Sequence, residues 1–204
     1  MPAIKLTYFD IKGKAEPIRL ALHYGGIPFE DVRVSREKFA ELKPTLPLGQ
    51  LPVMEVDGVT FVQSSAMLRY AGKLAGNGLY PDDPLDAMFV DSVIDTVEDI
   101  IAKIAPSMYE QDAAKRAAMR EELAAKTFPD LLGRLQKMLR GKFFAGEALT
   151  ICDFKFYALA WWLQAGALDG IPATLLDAFP ALAAHAAAVA ALPQVKAWEE
   201  AHKK

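Results

Sequence analysis

One cysteine and three histidines in 204 residues leave little material for metal or redox chemistry. Cys152 alone cannot form an internal disulfide or a CxxC pair, and His23, His185 and His202 are too scattered for a zinc-site pattern. No uninterrupted apolar run approaches the length of about 18 residues that a membrane helix needs. The alanine-rich stretch 181–191 is broken by His185 and fenced by Pro180 and Pro193, so it reads as a buried or half-buried helix. The opening MPAIKLTYFDIKGK carries charges at Lys5, Asp10 and Lys12 and no apolar core, which gives no secretory signal. A net charge of -3 offers no footprint for nucleic acid. The expectation is a soluble, cytoplasmic protein with neither nucleic acid nor membrane as a partner.

The composition is that of a globular chain, 52% hydrophobic and 24% charged, and it is long enough for two small domains. The two halves follow different patterns. The N-terminal part alternates short elements: a β-rich segment at 4–9, a helix over 15–25 stopped by Gly25-Gly26, a strand at 30–34, and a short helix opened by Ser35. A hairpin then joins 53–56 to 60–62 across Asp57-Gly58, and Ser64 or Ser65 is placed to cap a helix ending near 75. After Tyr80-Pro81 the periodicity is helical over 84–109, 113–139, 153–167 and 181–191. Charge divides at the same place: residues 1–80 hold 10 Lys/Arg against 8 Asp/Glu, and the rest hold 13 against 18. The boundary reads as a Gly/Pro/Asp-rich linker at 77–82, between an α/β domain over 1–76 and an all-α domain over 83–204. The order βαβ then ββα implies a thioredoxin-like domain with a mixed four-stranded sheet.

Pro52 heads the third strand, where a proline cannot donate to a ladder. In a thioredoxin-like sheet such a proline is usually cis, which turns the backbone of Leu51 toward a peptide-like ligand. An ordinary edge-strand proline is the other reading, and the motif alone leaves both open.

LTYFDIKGKAEPIRL, KPTLPLGQLPVMEVDG and QSSAMLRY, followed by VDSVIDTVEDI and LTICDF, resemble the glutathione S-transferases, most nearly their sigma-like class. The resemblance implies the following roles. Tyr8 donates a hydrogen bond to the sulfur of glutathione. Gln63 and Ser64 hold the γ-glutamyl carboxylate, Leu51 and Pro52 the peptide backbone, and Lys43 and Gln50 the glycyl end. A thiol of pKa ~8.5 lowered by about two units needs roughly 2.7 kcal/mol of preferential stabilisation of the anion. A phenol donor near a helix N-terminus can supply much of that.

Two positions depart from the family pattern. Phe39 stands where relatives usually carry a tryptophan whose indole N–H reaches the glycyl carboxylate, so glutathione should bind more weakly by about 1 kcal/mol. Lys14 stands where many relatives carry arginine, keeping the charge without the fork. Phe9 and Ile11 flank Tyr8 and are the candidates for the second-substrate pocket.

Residues 82–99 contain seven carboxylates and no lysine or arginine. Asp91, Asp95, Glu98 and Asp99 recur at helical spacing and are expected to share one face, which in the plain reading is a solvated stripe. The resemblance makes Asp99 the aspartate that crosses a two-fold interface to the γ-glutamyl ammonium of a neighbouring subunit, which implies a homodimer. It also suggests a divalent cation at that interface, although Glu98 stands where an aspartate is usual. Thr150-Ile-Cys-Asp153 reads as a capping box with a buried, unreactive Cys152. The implied function is tyrosine-type conjugation of glutathione to hydrophobic electrophiles, a detoxification chemistry with glutathione as co-substrate and neither a metal nor a tightly bound cofactor. The alternatives are a glutathione-dependent prostaglandin H to D isomerase and a non-catalytic ligand carrier or crystallin-like protein of the same fold.

Overall fold

In the computed structural model, which describes residues 1–203, four strands form one sheet in the order β2-β1-β3-β4. The strands are β1 (Ile4–Phe9), β2 (Glu30–Val34), β3 (Val53–Val56) and β4 (Val59–Phe61). β1 pairs parallel with β2 and antiparallel with β3, and β3 pairs antiparallel with β4, so the sheet is mixed and thioredoxin-like. Its pairing with β3 ends at Thr7↔Val53, while that with β2 continues through Tyr8↔Arg33 to Phe9↔Val34. Tyr8 and Phe9 therefore run past the end of β3, where Pro52 and Leu51 lie. The Leu51–Pro52 peptide is cis. β4 lies one residue earlier than the pattern suggested and is exposed along its length.

The crossover from β1 to β2 begins with a 3-10 turn, Gly13–Ala15, and continues as α1 (Glu16–Tyr24), with Pro17 in the first turn where a missing N–H costs nothing. The fully buried Arg19 fastens this crossover. Its guanidinium donates to Asp31 at 3.0 Å, to the Ile11 carbonyl at 2.8 Å and to Glu16 at 3.2 Å. α2 (Arg36–Leu42) is capped by Ser35, whose hydroxyl accepts the Lys38 N–H at 3.2 Å, and leads into a 3-10 turn at Lys43–Thr45.

α3 (Ser64–Ala75) corrects the capping expected of a serine. Gln63 occupies the cap position at φ +76°, and no side chain caps the helix.

The remaining helices are α4 (Pro84–Tyr109), α5 (Ala113–Glu122), α6 (Phe128–Gln136), α7 (Ile151–Gln164), α8 (Pro180–Ala190) and α9 (Pro193–Ala201). The single helix expected over 113–139 is divided by a π-helical turn, Leu123–Thr127. Pro129 has no N–H for the carbonyl four residues back and its ring crowds that carbonyl, which falls inside the π turn. The helix expected over 153–167 begins and ends earlier. α9 was not anticipated, because Pro193 was read as a fence when it is a helix start. At the head of α7, Asp153 accepts the N–H of Thr150 at 2.7 Å and of Phe144 at 2.9 Å, and contacts His185 Nε2 at 2.7 Å. The expected box is thus extended to α8 and to the loop that precedes α7.

α7 is the core of the helical half and packs on α1, α4 and α8. The α9 residue Trp198 donates its indole N–H to Glu16 at 2.8 Å, and the Ile151 N–H donates to the Leu79 carbonyl at 2.9 Å. One continuous apolar core thus joins sheet and helices. Among the described residues no helix is long and apolar enough to cross a membrane.

Candidate active site

Tyr8 is the penultimate residue of β1, with its ring buried, 8% exposed. Its hydroxyl oxygen accepts the Lys14 N–H at 3.3 Å, and among the described residues nothing takes the hydroxyl proton. The proton is therefore available to a ligand. Burial pushes the phenol above its usual range, against the opposing pull of the Lys14 N–H and of the Lys14 and Arg19 charges. Tyr8 is consequently a neutral donor at physiological pH, not a phenolate.

Lys14 follows the turn, and its ammonium pairs with Glu98 on α4. The other carboxylate oxygen of Glu98 accepts from Lys155 of α7 at 2.6 Å. Burial works against the Glu98 charge, but the two lysines outweigh it and hold the carboxyl below its usual range.

The acidic stripe is therefore not one solvated face. Arg69 of α3 binds Asp91 at 2.7 Å and Asp95 at 2.9 Å, with the Tyr80 hydroxyl on Asp91 at 3.1 Å. Glu98 turns inward to the lysines, and Asp99 stands exposed with no hydrogen bond or ion pair among the described residues. The cations that the local sequence lacks arrive from α3, α7 and the first crossover. These pairings use the carboxylates that a cation would need. Among the described residues no group of three or more His, Cys, Asp or Glu could hold a metal ion, so the expected divalent cation finds no support.

Around Tyr8, Phe9 is half-buried and meets Phe39 edge-on with ring centroids 5.1 Å apart. Ile11 is 58% exposed. Lys43 and Gln50 are exposed at either end of the loop leading to Leu51, and Lys43 is in no ion pair among the described residues. Leu51 is half-buried and Pro52 buried. Ser64 is largely buried at the start of α3, directly after the strained Gln63 backbone. Backbone strain at a helix entrance is a common accompaniment of a binding site. Cys152 is fully buried, and burial pushes its thiol well up, so it is no nucleophile.

Two residues escaped the sequence reading. Lys155 had a usable signal: a lysine in the otherwise apolar run FKFYALAWW must be either exposed or paired. The other is Gly13, where a Cβ would lie 2.6 Å from the Tyr8 hydroxyl, a close approach that no local pattern encodes.

Two family models match the two parts of the chain. The glutathione S-transferase N-terminal domain matches residues 4–73 and the C-terminal domain matches 98–202. The chain is 34% identical over 205 residues to hematopoietic prostaglandin D synthase of Gallus gallus, covering 100% of this chain and 98% of that one. It is 36% identical over 198 residues to glutathione S-transferase S1 of Drosophila melanogaster, covering 96% and 77% of the two chains. The structure of prostaglandin synthase D of Nilaparvata lugens superposes with a TM-score of 0.89 at 34% identity, covering 98% of each chain. By sequence and by architecture, the chain belongs to the glutathione S-transferase family.

Proposed function

We propose that this protein is a glutathione transferase of the tyrosine type, in which Tyr8 stabilises the glutathione thiolate for attack on an electrophilic carbon of an apolar second substrate. The observation that carries this reading is the Tyr8 hydroxyl: buried, neutral, fixed through its oxygen by the Lys14 N–H, and with its proton uncommitted. A donor already oriented toward a developing anion need not reorganise as the charge forms. Gln63 and Ser64 take the γ-glutamyl carboxylate, Leu51 the peptide main chain beside Pro52, and Lys43 with Gln50 the glycyl end. Phe9 and Ile11 line the second-substrate side. Asp99 completes the site of a partner copy in a homodimer. The glutathione-binding domain occupies 1–76 and the helical domain 83–204, joined at 77–82, and the protein works in the cytoplasm.

The test is the ultraviolet thiolate signal of bound glutathione across pH in wild type and Tyr8→Phe. The signal should be present near neutral pH in wild type and move upward in the variant, with conjugation of an aryl halide falling by about 10². Because the phenol stays protonated beyond its usual 10.0, the rate should climb with thiol ionisation and show no descending limb from Tyr8 below that value. A thiol that titrates as in free glutathione in both proteins would reduce the site to a carrier. A second reading, isomerisation of prostaglandin H to D with glutathione regenerated, is favoured by the full-length similarity to the Gallus gallus synthase. Turnover of prostaglandin H without net consumption of glutathione would establish it.

A further inference from the structure

We propose that Lys155 is a positioning residue for the reaction: it neutralises Glu98, so that the charge of the Lys14 ammonium beside Tyr8 is not cancelled by its carboxylate partner and acts on the bound thiolate. The inference rests on the Tyr8 reading above and concerns what lies behind it.

Lys155 is 2% exposed, in the second turn of a helix whose other inward residues are apolar or capping. A buried ammonium is costly unless paired. Its one hydrogen-bond partner among the described residues is Glu98 Oε2 at 2.6 Å. Glu98 Oε1 pairs with Lys14, whose own backbone N–H is the donor fixing Tyr8. Three elements, the turn before α1, α4 and α7, thus meet in a Lys–Glu–Lys trio carrying one net positive charge. Without Lys155 the trio would reduce to a neutral Lys14–Glu98 pair, and its net positive charge beside Tyr8 would be lost.

The remaining charged and titratable groups do not replace it. From α4, Asp95 also faces Lys155, but it is held by Arg69. Around Tyr8 the others are Arg19, bound to Asp31 and Glu16, and Tyr109. Burial lowers the Lys155 ammonium from its usual range, with Glu98 restoring part of the loss. The two residues therefore depend on each other for their charges.

The decisive measurement is the thiolate absorbance titration of glutathione-bound protein in Lys155→Met, Glu98→Gln, the double variant, Lys155→Arg and Tyr8→Phe. Lys155→Met should raise the thiol midpoint by about one unit, the lower end of what one nearby charge produces. Glu98→Gln should lower it, the double variant should return close to wild type, and Lys155→Arg should hold the wild-type value. A purely structural role predicts lower melting temperatures with the midpoint unmoved, or both single variants shifting it in the same direction, and either result overturns the proposal. If Lys155→Met does not fold, Glu98→Gln decides, since a midpoint that stays or rises in that variant refutes the charge argument. Tyr8→Phe separates the two layers. If it shifts the midpoint while the Lys155 and Glu98 variants do not, only this inference fails; if Tyr8→Phe shifts nothing, the reading of the site itself fails.

Discussion

Gly13 is glycine because Tyr8 occupies the space its side chain would take. A Cβ there would lie 2.6 Å from the Tyr8 hydroxyl and 2.9 Å from the ring, on a backbone at φ +46° that side-chain-bearing residues rarely adopt. Gly13→Ala should therefore push the phenol away from its place rather than merely loosen the turn. Displacement by about an ångström can cost a rate factor on the order of 10², so the variant should approach Tyr8→Phe in conjugation while still binding to immobilised glutathione. Loss of retention and turnover together would mean that Gly13 serves the fold and not the donor. Tyr8 itself was singled out in the sequence by the motif around it. Gly13 was not, since its constraint is a contact with a strand five residues back that only the folded turn creates. Phe39 shows the reverse: its missing donor was evident from residue type, whereas its edge-on contact with Phe9 depends on how α2 packs beside β1.

At the scale of elements, α4 carries the acidic run from Asp91 to Asp99 and α7 is buried along most of its length, and Glu98 couples them through Lys155. Because the carboxyl of Glu98 is held below its usual value of 4.5 in the folded protein, the folded state binds its proton less readily than the unfolded chain does. The associated stability is fully present above that value and is lost as the pH falls through the lower, folded one. In thermal melts, wild type should exceed Glu98→Gln at neutral pH, and the gap should close as the medium is taken below about pH 4. A gap that stays constant with pH would mean that the ionised carboxylate contributes nothing specific. Most of the helical stretches were readable by period, and the βαβ-ββα succession of elements from its short β-rich runs and turn signals. What sequence periodicity misjudged were the ends and breaks: the π turn before α6, the proline-started α9, and the cap of α3, where a backbone at positive φ replaces a side chain. The acidic stripe was misread for a related reason. Its carboxylates were counted along one helix, while Arg69, Lys14 and Lys155, which pair with them, come from elsewhere in the chain.

For the whole molecule, the open question is whether one copy holds a complete site. Asp99 stands exposed on α4 with no partner in its own chain among the described residues, while Asp91, Asp95 and Glu98 on the same helix are each bound by a cation. An unpaired acid beside three paired ones is consistent with a role outside its own subunit. Mixing two inactive parents tests this. In a dimer of one Tyr8→Phe subunit and one Asp99→Asn subunit, crossing sites would combine one doubly impaired centre with one intact centre. Random reassortment of equal amounts gives half heterodimers, each half active, so roughly a quarter of wild-type activity should return if the two-fold is isologous. The parents alone should stay low, and the gain should appear only after subunits have been allowed to exchange. If Asp99 acts within its own chain, the heterodimer contains two singly impaired sites and mixing restores nothing. The melting temperature of Asp99→Asn should match wild type in either case, because the side chain is exposed and makes no hydrogen bond or ion pair among the described residues.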